Sequence, residues 1–209
     1  QRNSCITAVI NQYYHAGGNL RDRLTSDYEF SRFLWDHGIH QIPEPLASDP
    51  RHHLALFNYI DGKKLVSSEI TGQHIDQVLD FYFAINACRD SQGAEVLPDA
   101  SEACFTLADH IQLTERRIQM LQTIKGVSEI DKKAEQFIRD ELLPVWERVK
   151  YAACQNADAD NLVLDERIPD RDIRLSPSDF GFHNALEDKS RRLIFLDFEY
   201  AGRDDPAKM

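Results

Sequence analysis

Strand-forming segments stand at the two ends of this chain, and the long stretch between them is helical in pattern. Ile6 to Tyr14 (ITAVINQYY) is rich in β-branched and aromatic residues and is closed by Gly17-Gly18, so it reads as a strand. A helix follows over about Leu20 to His37, with Leu24, Tyr28, Ser31 and Trp35 at helical spacing and Gly38 as its stop. Pro43 and Pro45 force an extended connection. Leu54 to Ile60 is a second strand, closed by the turn Asp61-Gly62. Short extended pieces return only near the end, at Ile173–Leu175, Ala185-Leu186 and Leu193 to Phe198. Because strands and helices are segregated, the expected class is α+β rather than alternating α/β.

The middle carries three helical patterns, each expected to bury its apolar stripe in a bundle core. The first runs through Ile75, Val78, Leu79, Tyr82 and Ile85. The second starts near Asp99, with Glu102 completing a capping box, and runs from Phe105 to Leu121. The third spans about Glu129 to Ala153 through Ile130, Phe137, Ile138, Leu142 and Val149, with Pro144 inside it as a kink or break.

Charge narrows the function classes. There are 24 Lys+Arg against 35 Asp+Glu over 209 residues, a formal net charge of −11. Nucleic-acid binding needs a basic stripe that displaces counterions, so that class is set aside. No apolar run approaches the roughly 20 residues of a membrane span, and no signal segment opens the sequence. Cys5, Cys88, Cys104 and Cys154 are scattered without a C-x-x-C pair, which fits reduced thiols in a cytoplasmic protein. His37, His40, His52 and His53 read as solvated, and the Asp165–Asp172 charge run as a solvated loop. Ser176 and Ser178 lack the Gly-x-Ser-x-Gly frame of a nucleophile elbow.

The chemistry is concentrated in Leu175 to Phe198 (LSPSDFGFHNALEDKSRRLIFLDF), where Asp179, Asn184 and Asp197 stand among apolar neighbours. If the arms Asn184–Glu187 and Leu193–Phe198 form a hairpin about a turn at Asp188 to Arg192, centred between Ser190 and Arg191, Asn184 lies opposite Asp197. Directly opposed Cβ atoms are about 5 Å apart. An amide carbonyl and a carboxylate then converge, both hard oxygen ligands of the kind Mg²⁺ takes beside phosphates. Asp179, five residues before Asn184, is placed on the loop feeding the hairpin, where it can receive a proton from a substrate hydroxyl. Asp-x-x-x-x-Asn, a hairpin and then Asp-Phe is also the spacing of kinase catalytic and metal-binding residues.

This segment resembles the aminoglycoside phosphotransferase and choline kinase group of small-molecule kinases, which share a protein-kinase-like fold. Pro177-Ser178-Asp179-Phe180-Gly181-Phe182-His183-Asn184 is similar to the family's His-Gly-Asp-x-x-x-x-Asn, and Leu196-Asp197-Phe198-Glu199-Tyr200 to its Ile-Asp-Phe/Trp-Glu stretch. The resemblance implies that Asp179 is the catalytic base, that Asn184 and Asp197 are metal ligands, and that ATP and Mg²⁺ are the cofactors. It implies that Glu29, in Tyr28–Leu34, is the helix acid that pairs with a strand lysine. It further implies that Asn58, Tyr59 and Ile60 form the hinge holding adenine by its backbone. Residues 1–62 would then be a partial N-terminal lobe, and 63–209 a helical C-terminal lobe with the catalytic hairpin. His183 either orients the loop or makes a structural hydrogen bond.

Two departures stand out. Pro177-Ser178 replaces the usual His-Gly, a change read as a subfamily variant. More serious, the strand position expected to carry the phosphate lysine is Asn11, which leaves Glu29 without a partner. Arg21 or Arg23 supplies the cation instead, or the alignment is shifted, or ATP binding is impaired. No Gly-rich loop precedes Ile6 and the chain stops at Met209 just past the metal motif, so both ends are expected to be incomplete. The leading expectation is an ATP-dependent phosphotransferase acting on a small-molecule hydroxyl. Its rivals are a kinase-like nucleotide-binding scaffold without turnover and a helical interaction domain. A cationic amine and a polyol are equally compatible acceptors, and oligomeric state is unreadable.

Overall fold

A computed structural model describes residues 7–14 and 21–208; the expected closure at Gly17-Gly18, together with Cys5, Ile6 and Leu20, lies outside them. The chain divides into two compact units, Gln1–Ala103 with Arg171–Met209, and Cys104–Asp170.

The first unit carries every strand. β1 (Ala8–Gln12) pairs antiparallel with β3 (Leu54–Asn58), which also pairs with β2 (Pro45–Asp49), in the order β1-β3-β2. β2 was expected only as an extended link. Its opening proline is tolerated because β2 is an edge strand and Pro45 is its first residue. Between β1 and β2 runs α1 (Arg23–Asp36). It begins three residues later than expected because Asp22 caps it, accepting hydrogen bonds from the Thr25 amide (3.0 Å) and hydroxyl (2.6 Å). It ends as expected at Gly38, which takes φ +79°. The Gly38 amide donates to the Trp35 carbonyl and the Ile39 amide to that of Leu34, so the last carbonyls are satisfied and Ile39 folds into the core.

β4 (Gly62–Lys63), α2 (Gly72–Ala87), β5 (Arg174–Ser176), β6 (Ala185–Asp188), β7 (Leu193–Phe195) and β8 (Gly202–Asp204) complete this unit. The sheets are β4-β6-β7 and β5-β8. The expected β6–β7 hairpin is present with its register shifted by one residue. Ala185 pairs with Phe195 and Glu187 with Leu193, so Asn184 faces Leu196 rather than Asp197. The turn is a three-residue loop centred on Ser190, with Arg191 at φ +62°, the usual left-handed residue closing such loops.

The face α2 buries also differs from expectation. Ile75 and Leu79 are exposed, while Phe81, Ile85, His74 and Asn86 are buried. Two polar residues at helical spacing disguised the true stripe, and both are satisfied. The His74 Nε2 meets Glu187 Oε1 at 3.2 Å, and Asn86 exchanges hydrogen bonds with the backbone N–H and C=O of Leu175. Phe81 is the hub of the core, 4.3 Å centroid to centroid from Phe195, 5.7 Å from Phe180 and 6.2 Å from Phe198.

The second unit is helical: α3 (Leu107–Leu121), α4 (Glu129–Phe137) and α5 (Leu143–Ala159). The expected α3 cap is corrected. Thr106 caps the helix in a box with Asp109, whereas Asp99 pairs with Arg203 (2.8 Å). Thr-x-x-Asp satisfies two orphan amides at the helix start, which Asp99 and Glu102 lie too far upstream to do. Pro144 acts as expected, and its consequence is a π-turn at Ile138–Leu142 that divides α4 from α5. A proline ring clashes with the carbonyl four residues back, and the wider turn relieves that clash. The expected core stripe of the third helix is corrected as well: Ile138 is buried, while Ile130, Phe137, Val145 and Val149 are exposed.

Candidate active site

β1, the end of β3, α1 and the segment after β7 enclose a cleft of about 510 Å³ in the first unit, within the usual size of small-molecule sites. Its lining includes Asn58, Tyr59 and Ile60 together with Asp197, Phe198 and Glu199. The amides of Asn58 and Tyr59 are already committed, to the carbonyls of Glu44 (2.9 Å) and Thr7 (3.0 Å). Among the described residues the Ile60 amide has no such partner.

Asp197 follows β7 with φ +68°, a left-handed conformation uncommon for a residue with a side chain. The kink re-aims the chain beyond the hairpin, so the residue one step out of register lines the cleft. Its carboxyl is held above the ordinary value, chiefly by burial and then by the neighbouring charges of Glu199 and Asp179; Arg23 opposes them. Asp179 itself follows Ser178, another left-handed residue (φ +61°). The Asn184 Nδ2 donates to the Asp179 carbonyl oxygen at 3.0 Å and lies 3.5 Å from its Oδ2, while His183 Nε2 meets its Oδ1 at 3.0 Å. Asp179 and Asn184 are thus joined directly, but neither is among the residues lining the cleft, whereas Asp197 is.

This anchoring is built by the apolar halves of the motifs. Phe180, Phe195 and Phe198 flank Asp179 and Asp197 in sequence and all pack on Phe81. The polar residues are thereby carried on a buried aromatic frame.

Glu29 is exposed and does not line the cleft. The acid on α1 that reaches it is Asp27, which is buried. Its Oδ2 accepts the Tyr13 hydroxyl at 2.5 Å, and its Oδ1 accepts the Phe198 amide at 3.2 Å. Both residues were legible in principle. Asp27 falls in line with Leu24, Ser31 and Leu34, an acid on an apolar face, and Tyr13 shares the strand face of Asn11. Of the two arginines named as substitute cations, Arg21 donates to the carbonyls of Asp99, Glu199 and Ala201. Arg23 pairs with Glu199 (3.1 Å) over the Tyr200 ring.

Burial pushes the Asp27 carboxyl up to about 6 from an ordinary 3.8, against the lowering effect of its hydrogen bonds from Tyr13 and the Phe198 amide; Asp197 and Glu199 add to the rise. The folded state therefore holds this proton more tightly than the unfolded chain. The stabilisation is complete at acid pH and is lost as pH rises through about 6. Comparing the protein with Asp27→Asn in urea, their difference in stability should shift against the wild type by roughly 2–3 kcal/mol between pH 4 and 7. Parallel profiles would show Asp27 ionised throughout.

The hairpin, the aromatic frame and the cleft beside the N-terminal sheet belong to a protein-kinase-like fold. Solved structures bear this out. A choline/ethanolamine kinase family protein from Mesorhizobium loti matches with TM-score 0.55 and 17% identity, covering 96% of this chain and 55% of that one. The choline kinase LicA from Streptococcus pneumoniae matches with TM-score 0.57 and 16% identity, covering 95% and 58%. An AMP-bound spectinomycin phosphotransferase matches with TM-score 0.57 and 11% identity, covering 94% and 60%. The chain thus spans a little over half the length of these structures. No family model and no curated protein matches the sequence. No helix among the described residues is long and apolar enough to cross a membrane.

Proposed function

We propose that this chain carries the nucleotide and phosphoryl-transfer site of an ATP-dependent phosphotransferase acting on a hydroxyl group of a small molecule, in the cytoplasm. The observation that carries the reading is that Asp197 and the β3 exit at Asn58–Ile60 line one and the same cleft. Adenine would lie against Asn58–Ile60, with the Ile60 amide as donor. Among the described residues no group of three or more His, Cys, Asp or Glu side chains is set to hold a metal ion. The donors here are a carboxylate on Asp197 and the amide oxygen of Asn184, a hard-oxygen pair that suits Mg²⁺ completed by phosphates and water. Bound there, Mg²⁺ would neutralise phosphate charge.

Asp179 would orient the acceptor hydroxyl and take its proton, with His183 holding the other carboxylate oxygen. As the acceptor oxygen bonds to the γ-phosphorus, the bond to the β–γ bridging oxygen breaks and ADP leaves. Positioning and charge neutralisation account for most of the rate in such chemistry. The acceptor is an aminoglycoside-, choline- or sugar-like alcohol.

One observation favours a second reading, a kinase-like nucleotide-binding scaffold without turnover. Asn11 supplies no charge on β1, and α1 meets that strand through Tyr13 and Asp27 rather than through an ion pair. Thermal shift with ATP, with and without Mg²⁺, and phosphate transfer to a panel of amino alcohols and sugars separate the two. Mg²⁺-dependent stabilisation with transfer is the expected result. Stabilisation without transfer to any alcohol supports the scaffold, and no shift at all removes both.

A further inference from the structure

We infer that Tyr13 and Asp27 are positioning residues for Asp197: a hydrogen-bond chain from β1 through α1 to the Phe198 amide sets the direction of the cleft carboxylate, in place of a strand-to-helix ion pair. The inference rests on the proposed metal role of Asp197.

Three segments far apart in sequence meet at one buried carboxylate. Asp27 lies on the inner face of α1 and each of its oxygens has one donor, the Tyr13 hydroxyl at Oδ2 and the Phe198 amide at Oδ1. A buried carboxylate is costly unless its oxygens are hydrogen-bonded, so this geometry is strongly specified once the core closes. Phe198 directly follows Asp197, whose left-handed backbone needs its surroundings to hold it. Packing supplies one part of that hold, because the Phe198 ring sits 5.6 Å from Phe30 and 6.2 Å from Phe81. The Asp27–Phe198 bond supplies the other, fixing the peptide plane from which Asp197 projects.

Tyr13 completes the chain on the strand side. It stands two residues beyond Asn11, so both side chains lie on the same face of the strand and both line the cleft. A lysine on this strand would bring a charge that an α1 acid answers. Here the strand side offers a neutral hydroxyl, and the acid answers it while its second oxygen accepts the Phe198 amide beyond β7. The α1–β1 link is thereby connected to Asp197 by two hydrogen bonds and one peptide.

The test uses the full chain and the variants Tyr13→Phe, Asp27→Ala and Asp27→Asn. Two quantities are read: amide hydrogen exchange at Phe198 without ligand, and the Mg²⁺ concentration dependence of ATP binding, with metal-free ATP binding as control. Asp27→Ala should speed Phe198 exchange and weaken apparent Mg²⁺ affinity by about 10-fold or more beyond any change in metal-free ATP affinity, as loss of a ligand-orienting partner does. Tyr13→Phe, which keeps the ring packing, should show a smaller effect in the same direction. Asp27→Asn, which retains an acceptor for the Phe198 amide, should restore most of both. A lower melting temperature with unchanged Phe198 exchange and unchanged Mg²⁺ dependence would reduce the pair to a packing role and overturn the inference. Faster exchange without any change in Mg²⁺ dependence would overturn its link to Asp197. If the wild-type protein shows no Mg²⁺-dependent ATP binding, the phosphotransferase reading falls, and the exchange data alone decide whether Asp27 holds the Phe198 peptide.

Discussion

Asp197→Ala is expected to lower Mg²⁺-dependent phosphate transfer by roughly a thousandfold or more, because metal charge stabilisation is worth several kcal/mol at the transition state. The same change should leave the fold intact. Asp197 is exposed, it lies beyond the last β7 pair, and Glu199 and Asp179 repel its charge. Removing it relieves that repulsion, while alanine in the left-handed region costs about 1 kcal/mol. Urea unfolding should therefore differ from wild type by no more than about 1–2 kcal/mol. Transfer assays across a Mg²⁺ series, run beside the unfolding curves, make the comparison. Turnover near the wild-type level would remove Asp197 from the mechanism, and a collapsed unfolding curve would make the assay a report on folding.

The raised Asp197 carboxyl adds a pH signature. Proton and cation compete for the same oxygens, so apparent Mg²⁺ affinity should fall as the pH drops through a value above the ordinary carboxylate range.

The opposite pattern is expected at Phe81. This ring is fully buried and contacts Phe180, Phe195 and Phe198, the apolar neighbours of both acidic motif residues. Phe81→Ala should cost about 3–5 kcal/mol, from lost burial and the cavity left behind. Against a typical total of about 5–15 kcal/mol, that removes much of the margin. Phe81→Leu, which keeps part of the volume, should cost distinctly less and preserve more ligand binding. Equal destabilisation by the two variants would mean that ring stacking rather than volume holds the frame.

How much of this was legible follows from the range of the forces involved. Strand, helix and hairpin were readable at α1, β3 and β6–β7 because caps, turn residues and apolar spacing act over a few positions. The Asp179–Asn184 hydrogen bond is equally local, five residues apart, but the sequence reading set Asn184 against Asp197 instead. The hairpin register was not readable. Side chains alternate with period 2, and a loop centred on Ser190 instead of between Ser190 and Arg191 moves every partner by one. The buried side of α2 is not legible locally, because His74 and Asn86 look solvated until the partners that satisfy them, Glu187 and the Leu175 backbone, are brought in from the far end of the chain.

Sequence alone determined that this protein segregates strands from helices and concentrates its motif-bearing polar residues between Asp179 and Asp197, because propensity, capping and motif spacing are local. The tertiary structure decided that the α1 acid at the cleft is Asp27 rather than Glu29. It also decided that Asp197 reaches the cleft by a left-handed kink instead of a cross-strand pairing. Both depend on contacts between segments more than a hundred residues apart, and only closure of the core selects which of the available acids loses its water.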